Sequence, residues 1–121
     1  MLFYKQYNKM LPKKNRITKS KDFDNVYKNG VAARAHHLLI KAVSNNKNKT
    51  RIGVIVGKKV SPKAVTRNKL KRRLRNIFYQ EINNIKKGFD IIVIPSPRLK
   101  NEEFVKIKES VIKVLEKINL I

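Results

Sequence analysis

The chain has 121 residues, enough for one domain and short for two. Its 30 Lys and Arg stand against eight Asp and Glu, and a net charge of +22 needs anions from a partner, nucleic acid before all others. There is no cysteine, which excludes disulfides, thiolate metal sites and a Cys nucleophile and suits the cytosol. No apolar run has transmembrane length and no signal-peptide pattern opens the chain, so an anionic membrane surface is the weaker partner.

Met1 to Tyr7 has no clear period, and Met10-Leu11-Pro12 opens the recognisable part. Residues 1–10 read equally as an extension ahead of a natural or alternative start at Met10 or as an ordinary mobile terminus, and 11–121 as a single domain. Ser20 is expected to cap a short helix, with Asp22 and Asp24 in its first turn, Phe23, Val26 and Tyr27 on one face, and Asn29-Gly30 as its stop. A short strand is expected near Val31 to Ala33, then strands at Leu38 to Val43 and Arg51 to Val56, separated by the polar loop Ser44 to Thr50. Pro62 keeps the last of these from continuing. A long helix follows, closed near Lys87-Gly88. Asp90 to Ile94 is a continuous apolar run, the pattern of a strand buried on both faces. Asn101 is expected to cap the last helix, with Glu102 and Glu103 favoured by its dipole and Phe104, Ile107, Val111, Leu115 and Ile118 as its core stripe. The order α-β-β-β-α-β-α implies an α/β chain of the α+β sandwich kind: one small sheet covered by helices.

The long helix carries the strongest signal. Six of the nine residues from Arg67 to Arg75 are basic. Leu70, Leu74, Ile77, Phe78, Ile82 and Ile85 recur at steps of three and four, which a disordered basic tail has no reason to show. Asn68, Lys71, Arg72, Arg75 and Tyr79 fall on the opposite side. No acid occurs between Asp24 and Glu81, an interval holding fifteen Lys and Arg. The plain alternative is a solvated charged face. The excess is Arg-rich, one-sided and without interspersed Glu, and guanidinium forks match phosphate oxygens, so binding is the better reading.

Catalytic groupings are nearly absent. Glu102 and Glu103 are adjacent and point to different sides of a helix start. GVIVGKK lacks the spacing of a phosphate-binding loop. His36 and His37 on a strand would point to opposite faces, with no third ligand in sight, so a polar strand end with some RNA contact is favoured over a metal site. Phe23 and Tyr27, at i and i+4, are either core packing or a platform for unpaired bases; Tyr27, with its polar tip, suits the platform better. Lys13, Lys14, Arg16, Lys19 and Lys21 could guide a single strand towards it. A stand-alone enzyme is the weakest reading. A DNA reader is disfavoured because strands precede the basic helix where a helix-turn-helix needs a helix. A ribosomal or other structural RNA-binding protein fits the composition equally well.

RIGVIVGKKV followed by AVTRNKLKRRLR resembles the bacterial ribonuclease P protein family. The amino-terminal PKKNRITKSKDFDNVYKNG and the closing DIIVIPSP with an amphipathic helix fit the same pattern, so the resemblance covers roughly Leu11 to Ile118. It implies an α/β domain whose strand–helix–strand crossover is left-handed, against the usual right-handed preference. It further implies a cytoplasmic subunit, without catalytic or metal-binding residues of its own, that assists a catalytic RNA in removing the 5′ leader from precursor tRNA. Mg2+ serves the RNA-catalysed step. Arg67, Asn68, Lys71, Arg72 and Arg75, with Lys58 and Lys59, are the implied RNA-facing set; Phe23, Tyr27 and Arg16 are the implied leader cleft. Three positions depart from the family pattern. Lys69 replaces an Arg and loses its fork, Ser61-Pro62-Lys63 replaces a Gly-Asn turn, and Lys41 stands where many members have an aromatic residue.

Overall fold

The computed structural model describes residues 11–121; the extension expected over residues 1–10 lies outside them. Helix α1 spans Ser20–Asn29. Strands β1, β2 and β3 span Val31–Ala35, Leu38–Ser44 and Arg51–Val54. Helix α2 spans Ala64–Glu81, strand β4 Phe89–Pro95 and helix α3 Phe104–Lys117. Short 3-10 turns occupy Lys13–Asn15 and Pro97–Asn101. The expected order of elements is borne out.

The sheet order is β1-β2-β4-β3. β2 lies antiparallel to β1 and β4, and β3 lies parallel to β4. Parallel neighbours cannot be joined by a tight turn, so the chain crosses over through α2. β4 comes last in sequence and sits between β2 and β3. That position explains its unbroken apolar run: Ile91, Ile92 and Val93 are fully buried because both neighbours and both faces are covered.

Alternation along the strands divides the core. Ile40, Ile52, Ile91 and Val93 face α2 and α3, which contribute Leu74, Ile77, Phe78, Ile107, Val111 and Leu115. Ile92 faces the other way and packs with Ile17, Val26 and Phe23 under α1. Before α1 the chain lies against the free edge of β3, where Arg16 bridges to Ile52 and the Ile17 N–H donates to Ile52 O.

Several local expectations are corrected. Ser20 is the first residue of α1 and makes no cap hydrogen bond; Lys19 holds the cap position. Gly30 ends that helix with φ −76°, an ordinary value, and is required instead because a Cβ there would meet Val26 O and the Ala42 backbone. α2 stops at Glu81, although Ile82 and Ile85 continue the apolar spacing; Ile85 is buried from a following turn. Tyr79 is partly buried against the main core rather than facing outward. Asn101 belongs to the 3-10 turn, and Glu103 holds the cap position of α3. His36 and His37 form a two-residue hairpin turn with φ 46° and 68°, not a strand end.

Candidate nucleic-acid interface

α2 buries Leu70, Leu74, Ile77 and Phe78 and so turns its remaining residues outward. Asn68, Lys69 and Arg72 are exposed; Arg67, Lys71, Arg73 and Arg75 are half-buried. Arg67 does more than present charge. Its Nη1 donates to the carbonyls of Ser61 and Pro62, both at 2.9 Å. The Lys63 N–H donates to Ser61 Oγ at 3.2 Å, and Ser61 is buried. Ser61-Pro62-Lys63 is thus a loop closed by its own serine and fastened to α2 by Arg67. Buried Val60, whose carbonyl accepts from Lys100 Nζ at 2.8 Å, anchors the preceding turn and leaves Lys58 and Lys59 exposed beside it.

Arg75 of α2 lies near Arg16, which stands at the β3 edge. The Arg16 Nε donates to Leu11 O at 2.7 Å, which fixes the guanidinium at the β3 edge. Burial first, and then the charge of Arg16, push the Arg75 pKa below its ordinary value. Two cations close enough to oppose each other's charge favour an anion between them.

The face under α1 holds the aromatic pair, but its members differ. Phe23 is half-buried, and its ring lies against Gly53 so closely that any Cβ at position 53 would overlap it. Phe23 therefore packs on the sheet. Tyr27 is 58% exposed, and Lys41 from β2 reaches it. Lys41 Nζ sits 3.9 Å from the ring centroid and donates to Tyr27 O at 3.0 Å. This cation–π contact escaped the sequence reading. The signal existed, since Lys41 shares the α1-facing side of β2 with Val43, but only the strand register shows it meeting Tyr27.

Arg51 fastens α1 over that face. Its Nε and Nη2 donate to the two carboxylate oxygens of Asp90 at 2.8 and 2.6 Å, and its Nη1 reaches Asp22 Oδ2 at 3.4 Å. The bonds to Asp90, against the cost of burial, raise the Arg51 pKa above its ordinary value. Among the described residues, no group of three His, Asp or Glu could hold a metal ion, and no helix is long and apolar enough to cross a membrane. The arrangement can hold anionic polymer along α2 and unpaired bases at Tyr27; no acid–base pair or nucleophile is assembled within it.

Comparison with known proteins places the fold in a family. Residues 11–119 match the Ribonuclease P family. A ribonuclease P protein component from Pseudanabaena sp. is 46% identical over 85 residues, 69% of this chain and 73% of that protein. One from Dictyoglomus turgidum is 34% identical over 112 residues, 91% of this chain and 93% of that protein. A Staphylococcus aureus RNase P protein, solved as a mutant with defective mRNA degradation activity, superposes with a TM-score of 0.83 at 30% identity, covering 100% of this chain and 99% of that one.

Proposed function

The chain belongs to the ribonuclease P protein family, and from that premise we propose that it docks on the catalytic RNA through α2 and the preceding loop and holds the single-stranded 5′ leader of precursor tRNA between α1 and the sheet. Proteins of this family are subunits of a ribonucleoprotein endoribonuclease whose chemistry resides in RNA. The observation that carries the assignment of sites is the one-sided array of cations on α2. It runs along α2 without an acidic residue until Glu81; Arg75 lies near Arg16 at the β3 edge, and the Tyr27–Lys41 pair stands on the α1-facing side of the sheet.

Each part has a physical task in this reading. Arg72, Lys71, Arg75 and Asn68 contact phosphates or ribose of the RNA, and every phosphate neutralised releases counterions. Arg67 holds the loop that offers Lys58 and Lys59, so it acts partly as a positioning residue. Phe23 forms the cleft wall, and Lys41 fixes the Tyr27 ring as a stacking surface for a leader base. Fixed cations lower the demand for Mg2+, which the RNA holds for the cleavage step. Residues 11–121 act as one RNA-binding domain, and the cytoplasm is the place of the reaction.

The test is leader-dependent binding by the reconstituted holoenzyme. Tyr27→Ala is expected to weaken leader-bearing tRNA by about 1–3 kcal/mol and to leave mature tRNA unchanged. Equal losses for both would overturn the cleft assignment.

A further inference from the structure

At the Glu81 end of α2, three segments far apart in sequence meet: residues 13–16, 44–50 and 82–88. Together they carry seven Lys and Arg, no Asp or Glu and no aromatic residue. A hollow of about 330 Å³ lies between them, rimmed by Lys14, Asn15, Asn48, Lys49, Asn83 and Lys87. Glu81 is not part of its lining, and Asp90, the next acid along the chain, is buried and closed by Arg51 and Asn45. None of the ion pairs among the described residues uses the three lysines of the rim.

Thr50 fixes this arrangement. It lines the hollow and is buried. Asn15 Nδ2 donates to its carbonyl at 2.9 Å, its Oγ donates to Lys86 O at 2.6 Å, and the Phe89 N–H donates to its Oγ at 3.3 Å. One residue thus ties all three segments together. Asn45 holds the other end of the loop: its N–H donates to Gly88 O at 2.9 Å and its Nδ2 to Lys49 O at 3.1 Å. The lysines therefore stand on held backbone and cannot relieve their repulsion by moving the loop away. Converging cations on a fixed frame favour an anion between them, at little cost in ordering.

We propose that this hollow is a second docking point for the catalytic RNA, which grips the sugar–phosphate backbone of a helical segment. It rests on the RNA-docking reading of α2 above. The chemistry selects the occupant. No ring is present for an unpaired base to stack on, which disfavours the single-stranded leader. Lysines take phosphates, and asparagine amides take phosphate or 2′-hydroxyl oxygens, the contacts that hold an RNA helix. Position agrees with this. α2 has 18 residues and is about 27 Å long. Lys58 and Lys59 precede one end, and the hollow follows the other. Contacts at both ends fix the direction in which a rigid partner lies on the helix.

The probe is a bacterial ribonuclease P RNA, titrated with the full-length protein across a salt series. The test variant combines Lys14→Gln, Lys49→Gln and Lys87→Gln. A control of equal charge combines Lys28→Gln, Arg98→Gln and Lys113→Gln, all at exposed positions outside the hollow. The test variant should lower the salt slope by about two to three and weaken binding about tenfold or more at roughly 0.15 M salt. The control should lower the slope by less than about one. In the reconstituted holoenzyme, the ratio of affinities for leader-bearing and mature tRNA should keep its wild-type value. Equal losses in test and control variants would overturn the site, since net charge alone would explain them. An unchanged slope in the test variant, or a loss confined to leader-bearing tRNA, would overturn it too. An unchanged slope in Arg72→Ala, measured alongside, would overturn the α2 reading on which it rests.

Discussion

Arg51 shows how a cation in this chain can be structural. Its fork closes on Asp90, which is 3% exposed, and a third nitrogen reaches Asp22 of α1. Removing it would leave a buried carboxylate without a cation, held only by Asn45 Nδ2 at 2.9 Å. Arg51→Ala is therefore expected to lower stability by about 3–5 kcal/mol in urea unfolding, and a loss under about 1 kcal/mol would contradict this role. Gly53→Ala is the second informative change. Its new methyl collides with the Phe23 ring, so about 1–3 kcal/mol of stability should be lost. Leader affinity should fall too, because the displaced ring forms the wall of the proposed cleft; unchanged stability and binding would show that Phe23 relaxes freely. The sequence made Phe23 and Tyr27 visible as one helical face. It could not show that Gly53 receives one ring and Lys41 covers the other, since both contacts come from strands far along the chain. A glycine within a strand does hint at close approach, and that hint could have been taken at Gly53.

α2 was legible because its apolar stripe repeats at the helical period while its charges avoid it. Its end was not: Ile82 and Ile85 keep the spacing, although the backbone leaves the helix at Glu81. The same limit applied to β4. Its buried character was readable from DIIVI, but its place between β2 and β3 depends on pairing across distant sequence. The cations of α2 also separate into kinds that charge alone did not distinguish. Arg72 is exposed, so Arg72→Ala should remove about one phosphate contact and lower the salt slope of RNA binding by about one. Arg67→Ala should cost more affinity than Arg72→Ala, because it also releases the Ser61 and Pro62 carbonyls and loosens the loop bearing Lys58 and Lys59. Titrations across a salt series check both; unchanged affinity and slope in the two variants would count against an RNA-facing helix.

Taken together, the 121 residues carry +22 charges on a fold whose anions are few and partly engaged internally. The free protein repels itself, and counter-anions should relieve that. Added sulfate is expected to raise its melting temperature progressively, and no change in a thermal scan would mean the repulsion is already screened or locally compensated. The same charge makes a polyanionic RNA the partner that completes the molecule. Reconstitution is the direct test: the purified protein mixed with a bacterial ribonuclease P RNA and labelled precursor tRNA at low magnesium. Release of the 5′ leader that requires both protein and RNA is the expected result. Tight RNA binding without any stimulation of cleavage would contradict it.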